Sequence, residues 1–133
     1  MRRRTKGSSA TASAGAQALA RWRAATRWRR AVERELAGLE LTLTQWLILD
    51  ALQRLEATAE DGVSQSMVAS CAEIDRMTVS QVVRSLEQRG FLMREPAATG
   101  PSNRLCLTRT GKRAVSHGRA KLEVASRAND GSE

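Results

Sequence analysis

The chain has 133 residues, 41% hydrophobic but only 3% aromatic, with 22 Lys and Arg against 14 Asp and Glu for a formal net charge of +8. That length suits one domain with a single modest core. No apolar run approaches the ~18 residues of a membrane span, and the Arg-rich start lacks the apolar stretch of a secretory signal, so a cytoplasmic location is expected.

The charge is unevenly placed. Residues 1–34 hold ten Lys and Arg and one Glu, a balance of +9, whereas residues 35–133 hold 12 basic and 13 acidic. Within the remainder, residues 76–113 carry eight basic and two acidic side chains, and residues 40–61 one basic and five acidic. A basic field concentrates polyanions. Nucleic acid and an anionic membrane surface both qualify, and charge alone does not separate them.

Residues 1–15, MRRRTKGSSATASAG, offer nothing that could bury a face and are expected to form a disordered basic arm, either touching phosphates or simply solvated. From about residue 16 to 39 the pattern is a long helix. Ala18, Trp22, Ala25, Val32, Leu36 and Leu39 share a broad arc with Trp28 at its edge, while Arg23, Arg27, Arg30 and Arg34 form a stripe on the other side. Stacked like charges repel by a few tenths of a kcal/mol per close pair. An anion along the stripe would relieve that cost, and Glu33, Glu35 and solvent could equally manage it. An Arg/Trp helix is also what a membrane-surface anchor looks like.

A second helix, about residues 42–57, is well specified. Thr42 and Gln45 have capping-box spacing, Leu41 and Trp46 stand where a hydrophobic staple would sit, and Trp46, Leu49, Leu52 and Leu55 keep helical period with Leu47 and Ile48 widening the band. A helix apolar on most sides belongs in mid-core. A polar loop closed by Asp61-Gly62 leads to VSQSMVASCAEIDRMTVSQVVRSLEQRG, which has the grammar of a helix-turn-helix with helices at about 64–72 and 75–89. Ser64 and Asp75 serve as N-caps, Val63 and Val68 as a staple, and Ala69 is small enough for a close helix crossing. In the second of these helices Val79, Val82, Val83 and Leu86 fall on one arc and Met77, Ser80, Gln81, Arg84 and Gln88 on the opposite one. Gln and Arg can bond base edges in a major groove, and Ser and Thr suit base edges or phosphates. The outward arc is either a reading face or the solvated side of an ordinary helix pair.

Gly90 ends that helix, FLMRE reads as a strand stopped by Pro96, and RLCLT as its return, giving a hairpin over about residues 91–108. Thr108 caps a last helix, about 109–128, and residues 129–133 are expected to fray. Cys71 and Cys106 each sit inside an element and are expected to be free, buried thiols. His117 is the only histidine; no metal site, cofactor or catalytic constellation is expected, and an enzyme is not. The expected fold is mainly α with a small β-hairpin, a winged helix-turn-helix spanning residues 16–128.

These residues resemble the MarR-type winged-helix transcriptional regulators. The opening Leu-Thr-x-x-Gln at Leu41, the Asp-Arg-x-Thr-Val-Ser at Asp75, the Leu-Glu-x-x-Gly-Phe-Leu at Leu86 and the closing Leu-Thr-x-x-Gly at Leu107 occur in the family's order over residues 41–111. The resemblance implies a homodimer on a pseudo-palindromic double-stranded DNA operator, its reading helices in successive major grooves and its wings against the minor grooves. Position by position, Arg76, Met77, Thr78, Ser80, Gln81 and Arg84 would enter the groove, Ser64 and Ser66 would meet phosphate at a helix N-terminus, and Asn103 and Arg104 would serve the wing. First and last helices would interlock through Leu19, Trp22, Ala25, Val115 and Leu122. A repressor role and a small lipophilic or phenolic effector are part of the same implication. Three departures stand out: Glu73 where the family usually turns on glycine, Thr99-Gly100-Pro101 in place of an arginine-bearing wing tip, and a short stretch after Gly111, which shifts dimerisation toward the Trp-bearing first helix. The rival reading is an interaction module docking on an anionic membrane or a protein partner through the Arg/Trp helix.

Overall fold

Thr42 starts the central helix as its sequence specifies. Its hydroxyl accepts from Gln45 N while Gln45 Oε1 accepts from Thr42 N, at 3.1 and 2.9 Å, so two of the amides that open a helix find partners. The computed structural model describes residues 2–97 and 103–131, in the order α1 (Arg2–Ala37), α2 (Leu43–Glu56), α3 (Gln65–Ala72), α4 (Arg76–Gln88), β1 (Leu92–Pro96), β2 (Asn103–Leu107) and α5 (Arg109–Gly131). Five helices and a two-stranded antiparallel hairpin make a winged helix-turn-helix.

Helix α2 lies in the middle of the core, with Leu43, Trp46, Ile48, Leu49, Ala51 and Leu52 buried. The Trp46 indole donates to the Val115 carbonyl at 3.1 Å and lies against Gly118, where any Cβ would overlap its ring. Asp50 is the one buried charged residue among the described residues. Its carboxylate receives Arg119 Nη2 at 2.6 Å and Arg54 Nε at 3.2 Å, which joins α2 to α5 by hydrogen-bonded charges rather than leaving one charge buried alone.

Helix α1 begins at Arg2, so the expected disordered arm over residues 1–15 is replaced, from Arg2 on, by continuous helix. The physical reason is propensity. Arg, Lys and Ala are good helix formers, no proline interrupts residues 2–15, and a helix nucleated in its packed half extends at one hydrogen bond per residue even through Gly7, Gly15 and the intervening Ser and Thr. The packed half is the C-terminal one: Val32 and Leu36 are buried, and Trp28 Nε1 donates to Ser126 Oγ at 2.8 Å. Lys121 Nζ lies 3.8 Å from Glu35 Oε1. The pairings 28 with 126 and 35 with 121 make α1 and α5 antiparallel. Helix α5 runs to Gly131 instead of fraying at 129.

At the corner between α3 and α4, Glu73 takes the left-handed conformation, φ 56° and ψ 44°, with its amide directed at the Ala69 and Ser70 carbonyls. The Ile74 amide returns to the Ala69 carbonyl at 3.1 Å. This is the turn that glycine makes most easily, made here by a residue with a side chain. Val79, Val83 and Leu86 then carry α4 into the core.

The hairpin pairs Leu92 with Leu107 through to Pro96 with Asn103. Pro96 is the last residue of β1, and the tip Thr99-Gly100-Pro101 lies outside the described residues. Val63 adds a single bridge to Leu105, whose amide donates to the Val63 carbonyl at 2.8 Å. The closing Leu-Thr-x-x-Gly then acquires a structural meaning. Thr108 Oγ1 donates to the Gly90 carbonyl at 2.6 Å and accepts from Gly111 N at 3.1 Å, and Gly111 sits so close to the Phe91 carbonyl that a Cβ would collide with it. Cys71 and Cys106 are free but only half-buried, which corrects the expectation of buried thiols; burial and the neighbouring Glu95 push the Cys106 thiol up from its ordinary pKa.

Candidate nucleic-acid interface

Asp75 fixes the start of α4. Its carboxylate accepts from Thr78 N at 2.8 Å and from Thr78 Oγ1 at 2.7 Å, and these bonds, the backbone one foremost, hold its pKa below the ordinary carboxylate value. A carboxylate at a helix N-terminus also meets the positive end of the helix dipole. The consequence for the outward arc is chemical. Thr78 is half-buried and has committed its hydroxyl proton to Asp75, so toward a ligand it offers only lone pairs.

The rest of the arc is open. Arg76, Gln81, Arg84 and Gln88 are exposed and Met77 is 72% exposed, whereas Ser80 is half-buried. Met77, Gln81, Arg84 and Gln88 succeed one another at i, i+4, i+7 and i+11, a single ridge of a helix. One methyl-tipped apolar group and three long hydrogen-bonding side chains thus project from one side of α4 while Val79 and Val83 are buried on the other.

The N-terminus of α3 is open as well. Ser64 Oγ accepts from Met67 N at 3.2 Å, which leaves its hydroxyl proton for another acceptor, and Ser66 is exposed in the first turn. A cleft of about 260 Å³ between α3 and the wing is lined by Ser64, Gln65, Ser66, Arg94, Asn103 and Leu105. It brings Ser64, Ser66 and Asn103 together, with two residues that sequence reasoning missed, Gln65 and Arg94. Arg94 is half-buried with its Nε 3.1 Å from Glu87 Oε1. The available signal was strand alternation: Arg94 pairs in register with Leu105, whose neighbour Asn103 lies two residues away on the same face.

Arg104 does not join them. Being one residue out of phase with Asn103, it faces the other side of β2 and lies across Gly62, where a Cβ would overlap its side chain. Its Nε is buried without a hydrogen-bond partner, in a smaller cleft with Glu56, Glu60 and Cys106. The pleat therefore sets Arg104 apart from the cleft that holds Ser64, Ser66 and Asn103.

Of the expected dimer residues, Leu19 is 53% and Trp22 66% exposed, Ala25 is exposed, and Leu122 is half-buried against the chain's own core. Val115 is completely buried and its carbonyl holds Trp46; intramolecular packing has taken it, and it is not a surface residue. Among the described residues no group of His, Cys, Asp and Glu could hold a metal ion, and no helix is long and apolar enough to cross a membrane.

A capped short helix, a left-handed corner, a second helix with an open polar ridge and a two-stranded wing define a winged helix-turn-helix protein. Residues 39–100 match the model of the MarR family. An uncharacterised HTH-type transcriptional regulator of Bacillus subtilis, YdcH, is 38% identical over 73 residues, covering 55% of this chain and 49% of that protein; the chain thus matches about half the length of this curated relative. A MarR-family transcriptional regulator from Rhodococcus sp. RHA1 superposes with a TM-score of 0.71 at 21% identity, over 85% of this chain and 78% of that one. A MarR-family protein of Mycobacterium tuberculosis, solved in complex with DNA, gives 0.67 at 22%, over 84% and 80%. At these identities the solved structures speak for the fold.

Proposed function

We propose that the chain is a sequence-specific, double-stranded DNA-binding transcriptional regulator, acting as a homodimer on a pseudo-palindromic operator. The observation that carries this reading is the open ridge of Met77, Gln81, Arg84 and Gln88 on α4; a cleft between α3 and the wing, which gathers Ser64, Ser66 and Asn103, adds to it. Arg76, Gln81 and Arg84 reach base edges, Met77 packs on a thymine methyl, and Ser64, Ser66 and the amides opening α3 take phosphates. Thr78 and Ser80, half-buried, support the ridge more than they read. Dimerisation uses the exposed Leu19, Trp22 and Ala25, the kind of apolar surface that marks a protein contact. The family and fold are those of transcriptional regulators; repression, a small lipophilic or phenolic effector and a cytoplasmic location complete the proposal. Docking on a membrane or another protein through the Arg/Trp helix gains no support from the relatives.

Selecting bound duplexes from a random pool tests the reading. The expected result is an enriched, two-fold symmetric sequence whose half-sites lie about one helical turn apart. Recovery of no enriched sequence, with duplex affinity that is indifferent to Gln81→Ala and Arg84→Ala, would overturn it.

A further inference from the structure

Three arginines of α1, Arg27, Arg30 and Arg34, line a cleft of about 360 Å³ whose other walls are Ala31 of α1 and Ala128 and Asn129 of α5. At i, i+3 and i+7 their guanidinium groups share one side of the helix. They have no ion-pair partner among the described residues, and three described carboxylates on the same two helices are engaged elsewhere. Glu33 lies 4.0 Å from Arg29 and accepts from Leu43 N, Glu35 pairs with Lys121, and Glu123 pairs with Arg127. Three like charges are thus gathered at one concave surface, unpaired among the described residues. The floor, made of two alanines, leaves room for the body of a ligand. Trp28 Nε1, bonded to Ser126 Oγ at 2.8 Å, pins the two helices alongside, so the cleft is held open by packing on both of its helices.

We propose that this cleft is a binding site for a small organic polyanion, a molecule carrying two or more carboxylate or phosphate groups on a compact body. Planar guanidinium groups bind both kinds of oxygen anion in paired hydrogen bonds, and three of them match more than one anionic group. A small molecule is favoured over a duplex because the site is a concavity between α1 and α5. Nothing from α3, α4 or the wing contributes to its lining. Taking about 100° per residue, Ala25 lies about 140–180° around α1 from the three arginines, whereas Leu19 lies within about 80° of each of them, so the cleft borders one side of the apolar surface assigned to dimerisation. The inference does not rest on the DNA-binding reading.

The test is calorimetric titration of the full chain with pyrophosphate and, separately, with citrate, in about 0.15 M salt so that diffuse attraction is screened. Saturable binding of at least one of them is expected, weakened about tenfold or more by Arg30→Gln and by Arg34→Gln. Arg21→Gln, which removes the same charge from the same helix outside the cleft, is expected to leave it unchanged. Ala128→Leu, which fills the floor without altering charge, is expected to weaken it. All four positions are exposed, and circular dichroism confirms that each variant folds. Absence of saturable binding to both probes, or equal losses from Arg21→Gln and Arg30→Gln, would overturn the proposal. So would loss of duplex affinity in Arg30→Gln that matches the loss of pyrophosphate binding, since the arginines would then serve nucleic-acid phosphates. Failure of operator selection with pyrophosphate binding intact would sink the regulator reading alone.

Discussion

Glu73 holds a conformation that a side chain makes costly, because Cβ is brought close to the following carbonyl oxygen. Glu73→Gly is expected to raise stability by up to about 1 kcal/mol, the relief of that crowding being partly offset by the freer unfolded chain, and chemical denaturation measures it. A fall in the denaturation midpoint would mean that the glutamate makes a favourable contact outweighing the strain. Asp75 carries the opposite lesson. Its pKa is lowered in the folded chain by the bonds from Thr78, so it contributes stability that is fully present above its unfolded pKa of about 3.9. That stability is lost as pH falls through the lower folded value. Comparing Asp75→Asn with the parent across that range should show a gap in melting temperature that is present near neutrality and closes in acid. Gly118 is the third such position. With the Trp46 ring in the space a Cβ would take, Gly118→Ala should cost about 1–3 kcal/mol through overpacking.

At the scale of elements, helix starts were legible because caps are local: Thr42 with Gln45, Ser64 with Met67 and Asp75 with Thr78 are all three residues apart. The apolar arcs of α2 and α4 were legible for the same reason, since a helix repeats over its own length. What the sequence did not disclose depended on which partner each face meets. Val115 has the period of an interface residue and an interior one alike, and only the approach of α2 decides between them. Arg104 and Arg94 differ by strand phase, which a short strand leaves unspecified. The length of α1 was missed because small residues read as disorder when nothing is seen to nucleate them. Trp22 tests what this helix does. Being 66% exposed, it can be removed without disturbing the fold, and Trp22→Ala should weaken self-association by about 2 kcal/mol if it anchors the interface. Sedimentation over a dilution series reads that change, and an unaltered dimer would place the interface elsewhere.

For the whole molecule, the net charge of +8 and the distribution of its arginines bear on how duplex is held. Affinity for a selected operator should fall steeply and log-linearly with salt as counterions are released. If Gln81 addresses bases as proposed, Gln81→Ala should lower affinity for that operator by about 1–3 kcal/mol while leaving the salt slope unchanged, since the side chain carries no charge. Arg84→Ala should lose preference too and can flatten the slope by about one if it also meets phosphate. A filter-binding series over several salt concentrations separates the two outcomes; equal effects on operator and random duplex would show that neither side chain reads sequence.

The three tryptophans stand in three different surroundings: Trp22 66% exposed, Trp28 at the seam with Ser126, and Trp46 4% exposed beneath Gly118. With no tyrosine in the chain, its ultraviolet emission is theirs alone. A water-borne quencher should extinguish the Trp22 signal first, spare Trp46 until global melting, and leave Trp28 as a gauge of whether the first and last helices have parted. One native chain, unlabelled, can thereby report self-association, seam opening and core collapse as separable optical events.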